Sequence, residues 1–316
     1  LNFLTSNYAG ITRSIARFTE GAIDVLNEGL IWLPEGVFIA LTVLLCWRVS
    51  GWRLALGSAL GLGLIWNLGL WVPTIQTLTL VVFATLVAVC IALPIGIIAA
   101  LSNRLYKLVM PLLDFMQTMP AFVYLIPAIP FFGIGSVSAI FATVIFSMPP
   151  AIRLTILGIR QVPNELIEAA DAYGATPIQK LIKVQLPLSL PTIMAGINQT
   201  IMLALSMVVI AAMIGADGLG SEVWRAIQRL RPGEGFVAGL AVVILAMILD
   251  RLTQSLQRSK KRESEKHSLS IRCVSSCDGR ALQPDKGHHM PQTHIYYKTA
   301  MHEAVQTSTQ LHHHAI

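Results

Sequence analysis

Histidine and cysteine, which often bind metals or act in catalysis, are concentrated at the C-terminal end of the chain. All eight histidines follow Lys266, and two of the four cysteines, Cys273 and Cys277, lie there as well. The preceding residues show neither a Ser-His arrangement nor a paired carboxylate for nucleophilic or acid–base catalysis. We therefore expect a protein that is not an enzyme.

A zinc site is one interpretation of Cys273 and Cys277 together with His288 and His289. The Cys-x3-Cys spacing differs from that of the usual structural zinc sites, and the surrounding sequence is polar and lacks hydrophobic periodicity. We expect residues 259–316 to be a disordered tail, and we interpret it as the product of a changed reading frame. No metal or other cofactor is expected in this chain.

Residues 161–190 contain several residues that typically begin or end helices. Pro163 suits the first position of a helix, and Glu165 and Glu168 suit its positive N-terminal end. Gly174 supplies a left-handed stop. These residues predict one short, stiff helix over 164–173.

A second helix is predicted directly after the first. Thr176-Pro177-Ile178-Gln179 fits a capping box with proline at the first helical position. The helix should run through Lys180 and Lys183 and end at Leu186-Pro187, and Pro191 should open the next apolar segment.

The composition indicates a membrane protein. Of the 316 residues, 54% are hydrophobic and only 13% are charged, with a mean hydropathy of +0.64, whereas soluble domains carry about 25% charged residues. The net charge of +6 arises from basic residues at the ends of apolar runs, a pattern typical of membrane topology rather than of nucleic-acid binding.

A membrane-spanning helix needs roughly 20 mostly apolar residues. Seven segments are candidates: 31–47, 54–72, 75–101, 109–132, 137–157, 191–216 and 236–252. The fourth is interrupted by four prolines, which neighbouring helices can accommodate in a membrane. The sequence therefore predicts an all-α, polytopic bundle of about seven transmembrane helices.

Basic residues set the predicted orientation, because short cytoplasmic loops are enriched in Lys and Arg. Four basic clusters fall at alternate connections: Arg48 and Arg53; Arg104 and Lys107; Arg160, Lys180 and Lys183; and Arg251, Arg258, Lys260, Lys261 and Arg262. This pattern places the N-terminus outside and the C-terminus in the cytoplasm. The loop with Arg225, Arg229 and Arg231 departs from the rule.

Two segments on the predicted outer side are amphipathic. Apolar residues recur at helical spacing over 11–26, within an N-terminal segment 1–30, and again at Val223, Ile227 and Leu230. Both fit helices that lie on the membrane surface or pack on the bundle. For the second segment, a contact surface for an external partner is the alternative.

The spacing within 161–190 resembles the EAA loop of binding-protein-dependent ABC importers, EAA-x3-G-x9-I-x-L-P. Here Glu168-Ala169-Ala170, Gly174 and Leu186-Pro187 match, and Val184 replaces the isoleucine. The resemblance implies that the loop docks on a cytoplasmic ATPase. Glu165 and Glu168 would then make charged contacts, and Ala169 and Ala170 would allow close approach.

Further segments resemble the glycine betaine/proline betaine permeases: DFMQTMPAFVYL at 114–125, PPAIRLT at 149–155, KVQLP at 183–187, NQT at 198–200, LSMVVIA at 205–211 and DRLTQ at 250–254. The resemblance implies a type I importer core of five helices over 74–255 and two additional helices over 31–73. It also implies a permease homodimer in a bacterial inner membrane, two ATPase subunits that use ATP and Mg²⁺, and a periplasmic substrate-binding protein.

Polar residues within spans usually face the bundle or a water-filled path. On this ground, the candidates for lining a translocation path are Gln117, Thr118, Tyr124, Asn198, Gln199, Thr200, Ser206 and Met207. Hydrogen bonding between helices is the alternative for each polar member. Asp114 is expected to pair with Arg153 or with another cation.

The predicted function is that of a permease subunit that imports betaine osmoprotectants without using ATP itself, since the chain has no Gly-x4-Gly-Lys-Ser/Thr loop. A permease for choline, carnitine or another amino-acid-like solute is the alternative. A secondary transporter is a further alternative, although the spans show no obvious repeat and carry few acidic residues, among them Asp114.

Overall fold

The computed structural model describes residues 2–254, and within that range every regular element is helical, which confirms the all-α class. The twelve α-helices of this part are α1 Asn2–Ile31, α2 Glu35–Ser50, α3 Trp52–Asn67, α4 Trp71–Leu101, α5 Asn103–Thr118, α6 Leu125–Phe132, α7 Ser136–Arg160, α8 Asn164–Ala172, α9 Pro177–Lys180, α10 Leu186–Ala211, α11 Leu219–Gln228 and α12 Pro232–Gln254. Short 3-10 turns lie at Ala121–Tyr124 and Ala212–Ile214, and a π-helical turn lies at Leu181–Gln185. The predicted tail 259–316, with its cysteines and histidines, lies outside the described residues.

Three long helices, α4, α7 and α10, pack against one another at the centre of the bundle. Glycines allow this approach: a Cβ on Gly96 would lie 2.7 Å from the Thr155 Cβ, and a Cβ on Gly196 would lie 3.0 Å from the Leu154 Cβ. Small side chains let helices pack closely in a membrane, where association depends on van der Waals contact. The central interface therefore depends on residues that are too small to separate the helices.

A second apolar cluster joins α2 and α3 to α11 and α12. Here a Cβ on Gly61 would lie 2.6 Å from the Ile244 Cγ2, whereas Gly57 and Gly63 have no such neighbour within 4 Å. Gly69, with φ of +70°, lies in the turn after α3. Of these glycines in and after α3, Gly61 is the one that allows two helices to approach.

Four helical segments of the described chain are long and apolar enough to cross a membrane: α4, α7, Pro177–Ile214 and α12. Two bent pairs raise the count to six if each pair is one span, namely Arg13–Ile31 with α2 and α5 with Ala121–Phe132. Seven spans were predicted. The difference arises mainly in 31–72, where α2 and α3 have 16 residues each, or about 24 Å.

The fourth predicted span is not a straight helix. The chain bends by 109° between α5 and the segment Ala121–Phe132. Met119 is extended, with φ of −73° and ψ of 133°, because the ring of Pro120 disfavours a helical conformation in the preceding residue. The proline therefore ends α5 near Gln117 and Thr118.

The helix after α9 continues past Pro187, although the sequence predicted an end there. The π turn Leu181–Gln185 leads directly into α10, and Pro187 occupies the first turn of α10. In the π turn the Leu186 amide donates to the Leu181 carbonyl. This bond between residues five positions apart shifts the backbone hydrogen-bond register immediately before Pro187, which has no N–H to donate.

The N-terminal helix is longer than the predicted amphipathic segment, and much of its predicted apolar face is exposed. Phe18 is 76% exposed and Val25 is 72% exposed, whereas Ile23 packs against the main apolar cluster. An exposed apolar stripe of this kind suits the surface of a bilayer.

Candidate functional site

The predicted EAA loop projects as α8 between two long helices, α7 and α10. Glu165 lies in the first turn of α8, and none of the nine residues of this helix is buried. Glu168 and Ala169 are exposed, and Ala170 is half-buried. Glu165, Glu168 and Ala169 share one face because residues three and four apart are neighbours on a helix. The loop therefore offers one acid-and-alanine face to a partner.

Gly174 ends α8 through a Schellman motif. Its φ is +74°, its amide donates to the Asp171 carbonyl at 2.9 Å, and the Ala175 amide donates to the Ala170 carbonyl at 3.0 Å. These are the two hydrogen bonds that satisfy the last carbonyls of a helix at such a stop. The predicted left-handed stop is confirmed.

The predicted capping box at α9 is also confirmed. The Thr176 hydroxyl accepts from the Gln179 amide at 3.3 Å, and the Gln179 Oε1 accepts from the Thr176 amide at 3.0 Å. Both ends of the turn between α8 and α9 are therefore fixed by hydrogen bonds within the loop.

A salt bridge closes the loop and was not predicted. The Lys180 Nζ donates to both carboxylate oxygens of Asp171 at 2.8 and 2.9 Å. The two residues are nine positions apart and lie on different helices, so no helical periodicity relates them. The pair attaches α9 to α8, and α9 runs through the π turn into α10.

Leu186 and Pro187 lie in the first turn of α10. Leu186 is half-buried and Pro187 is exposed. The loop instead exposes apolar side chains that the sequence analysis did not select, with Tyr173 exposed to 93% and Ile178 to 69%. Exposed apolar side chains on a loop that also carries charged residues are typical of a protein-docking surface.

Two arginines of α7, the helix that leads into α8, attach α5 to it. Asp114 and Arg153 form a salt bridge, so the expected pairing of Asp114 is confirmed. Two turns further along α7, the Arg160 guanidinium lies 4.0 Å from the centroid of the Tyr106 ring and donates to Asn103 Oδ1 at 2.9 Å. These contacts connect the bent α5 segment to the base of the loop.

The predicted path residues occupy three settings, and their role stays a prediction. Gln117, Thr118, Gln199 and Ser206 are exposed, Asn198 is half-buried, and Tyr124, Thr200 and Met207 are buried. Three hydroxyl groups donate to carbonyls nearby along the chain: Thr118 to Phe115, Thr200 to Gly196 and Ser206 to Met202. The structure brings Tyr124 and Met207 into one apolar cluster.

A polar contact between α10 and α12 was not predicted from the sequence. The Asn198 Nδ2 donates to Asp250 Oδ1 at 3.0 Å, and the Gln254 Nε2 donates to both Asp250 oxygens. The spacing of Asp250 and Gln254 by four residues was the available signal. Asn198 is therefore held by the last described helix.

Comparison with known proteins gives the family. Residues 92–262 match the family described as binding-protein-dependent transport system inner membrane component. The glycine betaine/carnitine transport permease protein GbuB of Listeria monocytogenes is 52% identical over 262 residues, which is 82% of this chain and 93% of that protein. The glycine betaine/proline betaine transport system permease protein ProW of Escherichia coli is 51% identical over 261 residues, covering 83% of this chain and 74% of that protein.

A solved structure supports the fold. A chain of the inward-facing MetNI methionine ABC transporter superposes with a TM-score of 0.55 at 24% identity, covering 58% of this chain and 93% of that chain. The likeness confirms the expected importer fold. The family match and the identity to GbuB and ProW show that the chain belongs to the inner-membrane permease components of binding-protein-dependent ABC importers.

Proposed function

We propose that this chain is the permease subunit of an ATP-driven importer that carries glycine betaine and proline betaine across the bacterial cytoplasmic membrane. The names of GbuB and ProW both include glycine betaine, and each protein is more than 50% identical over four-fifths of this chain. The solute passes through without chemical change, and ATP hydrolysis belongs to a separate subunit.

The exposed and internally fixed α8 helix is the observation that carries this proposal. It has no buried residue, yet the Gly174 stop, the capping box and the Asp171–Lys180 pair hold it relative to α9. A helix with free surface and fixed ends can be moved as one body by a protein that grips it. Glu165 and Glu168 contact the ATPase, and Ala169 and Ala170 allow close approach.

The movement of α8 reaches the membrane part along two covalent routes. α7 precedes α8, and α10 continues from α9 through the π turn. α7 carries Arg153 and Arg160, which hold the bent α5 segment. ATP-driven movement of α8 is thereby transmitted through α7 and α10 to the predicted path residues, which lie on α5, on the 3-10 turn after it and on α10.

The proposed assembly contains two copies of this chain, two cytoplasmic ATPase subunits that bind ATP and Mg²⁺, and a periplasmic substrate-binding protein. In the proposed orientation, α8 faces the cytoplasm, the N-terminus lies outside and the C-terminus lies inside. The binding protein holds the quaternary ammonium group in an aromatic cage, and the permease needs only a weak passage through Gln117, Tyr124, Asn198, Gln199 and the other predicted path residues.

Uptake of labelled glycine betaine tests the proposal. Proteoliposomes that contain this chain, its ATPase and its binding protein should accumulate the solute only with ATP on the ATPase side. Unlabelled proline betaine should compete with the labelled solute. Absence of ATP-dependent betaine uptake, with retained uptake of another solute, would overturn the substrate assignment.

Carnitine is the second candidate substrate, because GbuB, whose name includes carnitine, is 52% identical to this chain. Carnitine and glycine betaine share a trimethylammonium group and a carboxylate. Competition in the same uptake assay distinguishes the two: inhibition by carnitine at concentrations similar to those of glycine betaine would indicate a shared path.

A further inference from the structure

A small polar cavity of about 100 Å³ lies where α1, α4 and α7 meet. Ser136, the first residue of α7, lines it, whereas Arg160, at the other end of this 25-residue helix, leads to α8. A helix of that length spans about 37 Å. The cavity therefore lies at the end of the bundle opposite to the coupling loop.

Oxygen atoms are available from every polar side chain that lines this cavity. The polar lining consists of two carboxylates, two carboxamides and two hydroxyls: Asp24, Asp217, Asn27, Gln76, Thr79 and Ser136. Aliphatic side chains complete the wall, and the part of the chain that the structure describes contributes no lysine, arginine or histidine to it. Carboxylate, amide and hydroxyl oxygens are the ligands that hard cations prefer.

The two carboxylates of the cavity have no cationic partner within residues 2–254. Neither Asp24 nor Asp217 forms a salt bridge with a described residue, whereas Glu222 and Glu234, later in the chain, each pair with an arginine. Both aspartates are exposed, so each carboxylate borders the cavity from its solvent side. A bound divalent cation would balance the two charges.

Buried oxygens without partners give independent support for a ligand. Thr79 is 2% exposed, and its Oγ1 has no hydrogen-bond partner, as is also true of the buried Asn27 Oδ1. Thr74 and Thr77 lie on the same helix, and their hydroxyls donate to the carbonyls of residues four positions earlier. The Thr79 hydroxyl lacks the contact that these two make, as does the Thr85 hydroxyl further along α4, whereas a buried polar atom in a folded protein normally has a partner.

We infer that this cavity binds one hard divalent cation, with Ca²⁺ favoured over Mg²⁺. The charge of a divalent ion balances Asp24 and Asp217. Ca²⁺ accepts six to eight oxygens in irregular geometry, whereas Mg²⁺ requires a near-ideal octahedron. The volume corresponds to about three water molecules, enough for the ion and part of its hydration shell. The bound ion connects α1 to α4 and to the loop before α11.

Thermal unfolding of the purified full-length chain in lipid nanodiscs tests the site, with CaCl2, MgCl2, NaCl or tetramethylammonium chloride added at matched ionic strength. Ca²⁺ should raise the unfolding temperature saturably, by about 3 °C at tenfold above half-saturation. Asp24→Asn and Asp217→Asn should each abolish this shift.

Two further variants make the test specific. Thr79→Val keeps the volume and both carboxylates, so it should keep a saturable shift but require more Ca²⁺. Glu222→Gln, outside the cavity, should respond as the parent does. Equal Ca²⁺ shifts in the parent and in Asp217→Asn would overturn the inference, as would a saturable shift with sodium or tetramethylammonium alone.

Discussion

The central interface of α4, α7 and α10 and the α8–α9 loop are held together by different means. At the centre, glycines allow contact at distances where a Cβ would clash, as Gly96 does beside Thr155. The loop buries no residue of α8 and depends on a Schellman motif, a capping box and one salt bridge. Substitutions at the centre should therefore act on stability, and substitutions in the loop should act on coupling.

The largest expected effect is at the centre. Gly96→Ala places a Cβ 2.7 Å from the Thr155 Cβ and should lower the free energy of unfolding by about 1–3 kcal/mol. Gly57→Ala is the matched control, because no atom beyond its chain neighbours and its own helix backbone lies within 4 Å of that Cβ, and it should stabilise α3 by up to about 1 kcal/mol. Thermal unfolding in nanodiscs measures both; equal losses would contradict the close contact at Gly96.

The second-largest effect is expected at Gly174, which ends α8. Gly174→Val forces a β-branched residue to a φ of +74°, which costs about 1–2 kcal/mol at the end of α8. Uptake should fall by about tenfold, since 1.4 kcal/mol corresponds to a factor of ten, while the unfolding temperature of the bundle stays unchanged. Gly174→Asn should retain most of the uptake because asparagine tolerates this conformation. Equal uptake by the two variants would show that the left-handed backbone conformation at position 174 is not needed for coupling.

The smallest expected effect concerns the loop salt bridge. The side chains of Lys180 and Asp171 are 21% and 52% exposed, so the pair contributes about 1 kcal/mol or less. Lys180→Met and Asp171→Asn should each lower the uptake rate by a few-fold, and exchanging the two charges should restore part of it. If the charge-exchanged double variant takes up betaine no faster than either single variant, the pair does not hold the loop.

The loop could be predicted from the sequence because its signals are local. Pro163, Gly174 and the Thr176-to-Gln179 box each determine the conformation of only a few neighbouring residues, and the structure has the stop and the box where the sequence places them. The salt bridge between Asp171 and Lys180 joins two helices, so its formation depends on the angle of the turn between them.

The bent α5–α6 segment could not be predicted in the same way. Four prolines marked 109–132 as irregular, but which proline bends the chain depends on the surrounding packing, and the structure bends it at Pro120. Asp250 contacts Asn198 across two helices, and Asp24 and Asp217 meet at one cavity from distant parts of the chain. Such contacts between distant residues cannot be read from helical periodicity, which gives only the face of each helix.

Reversal of one exposed charge on α8 tests the coupling proposal most directly. Glu168→Arg and the control Glu20→Arg, on the exposed part of α1, are compared in co-purification with the ATPase and in ATP-dependent betaine uptake. Glu168→Arg should lose most of the bound ATPase and of the uptake while its unfolding temperature stays at the parent value, and Glu20→Arg should retain both activities. Full ATPase binding and normal uptake by Glu168→Arg would contradict the assignment of α8 as the coupling surface.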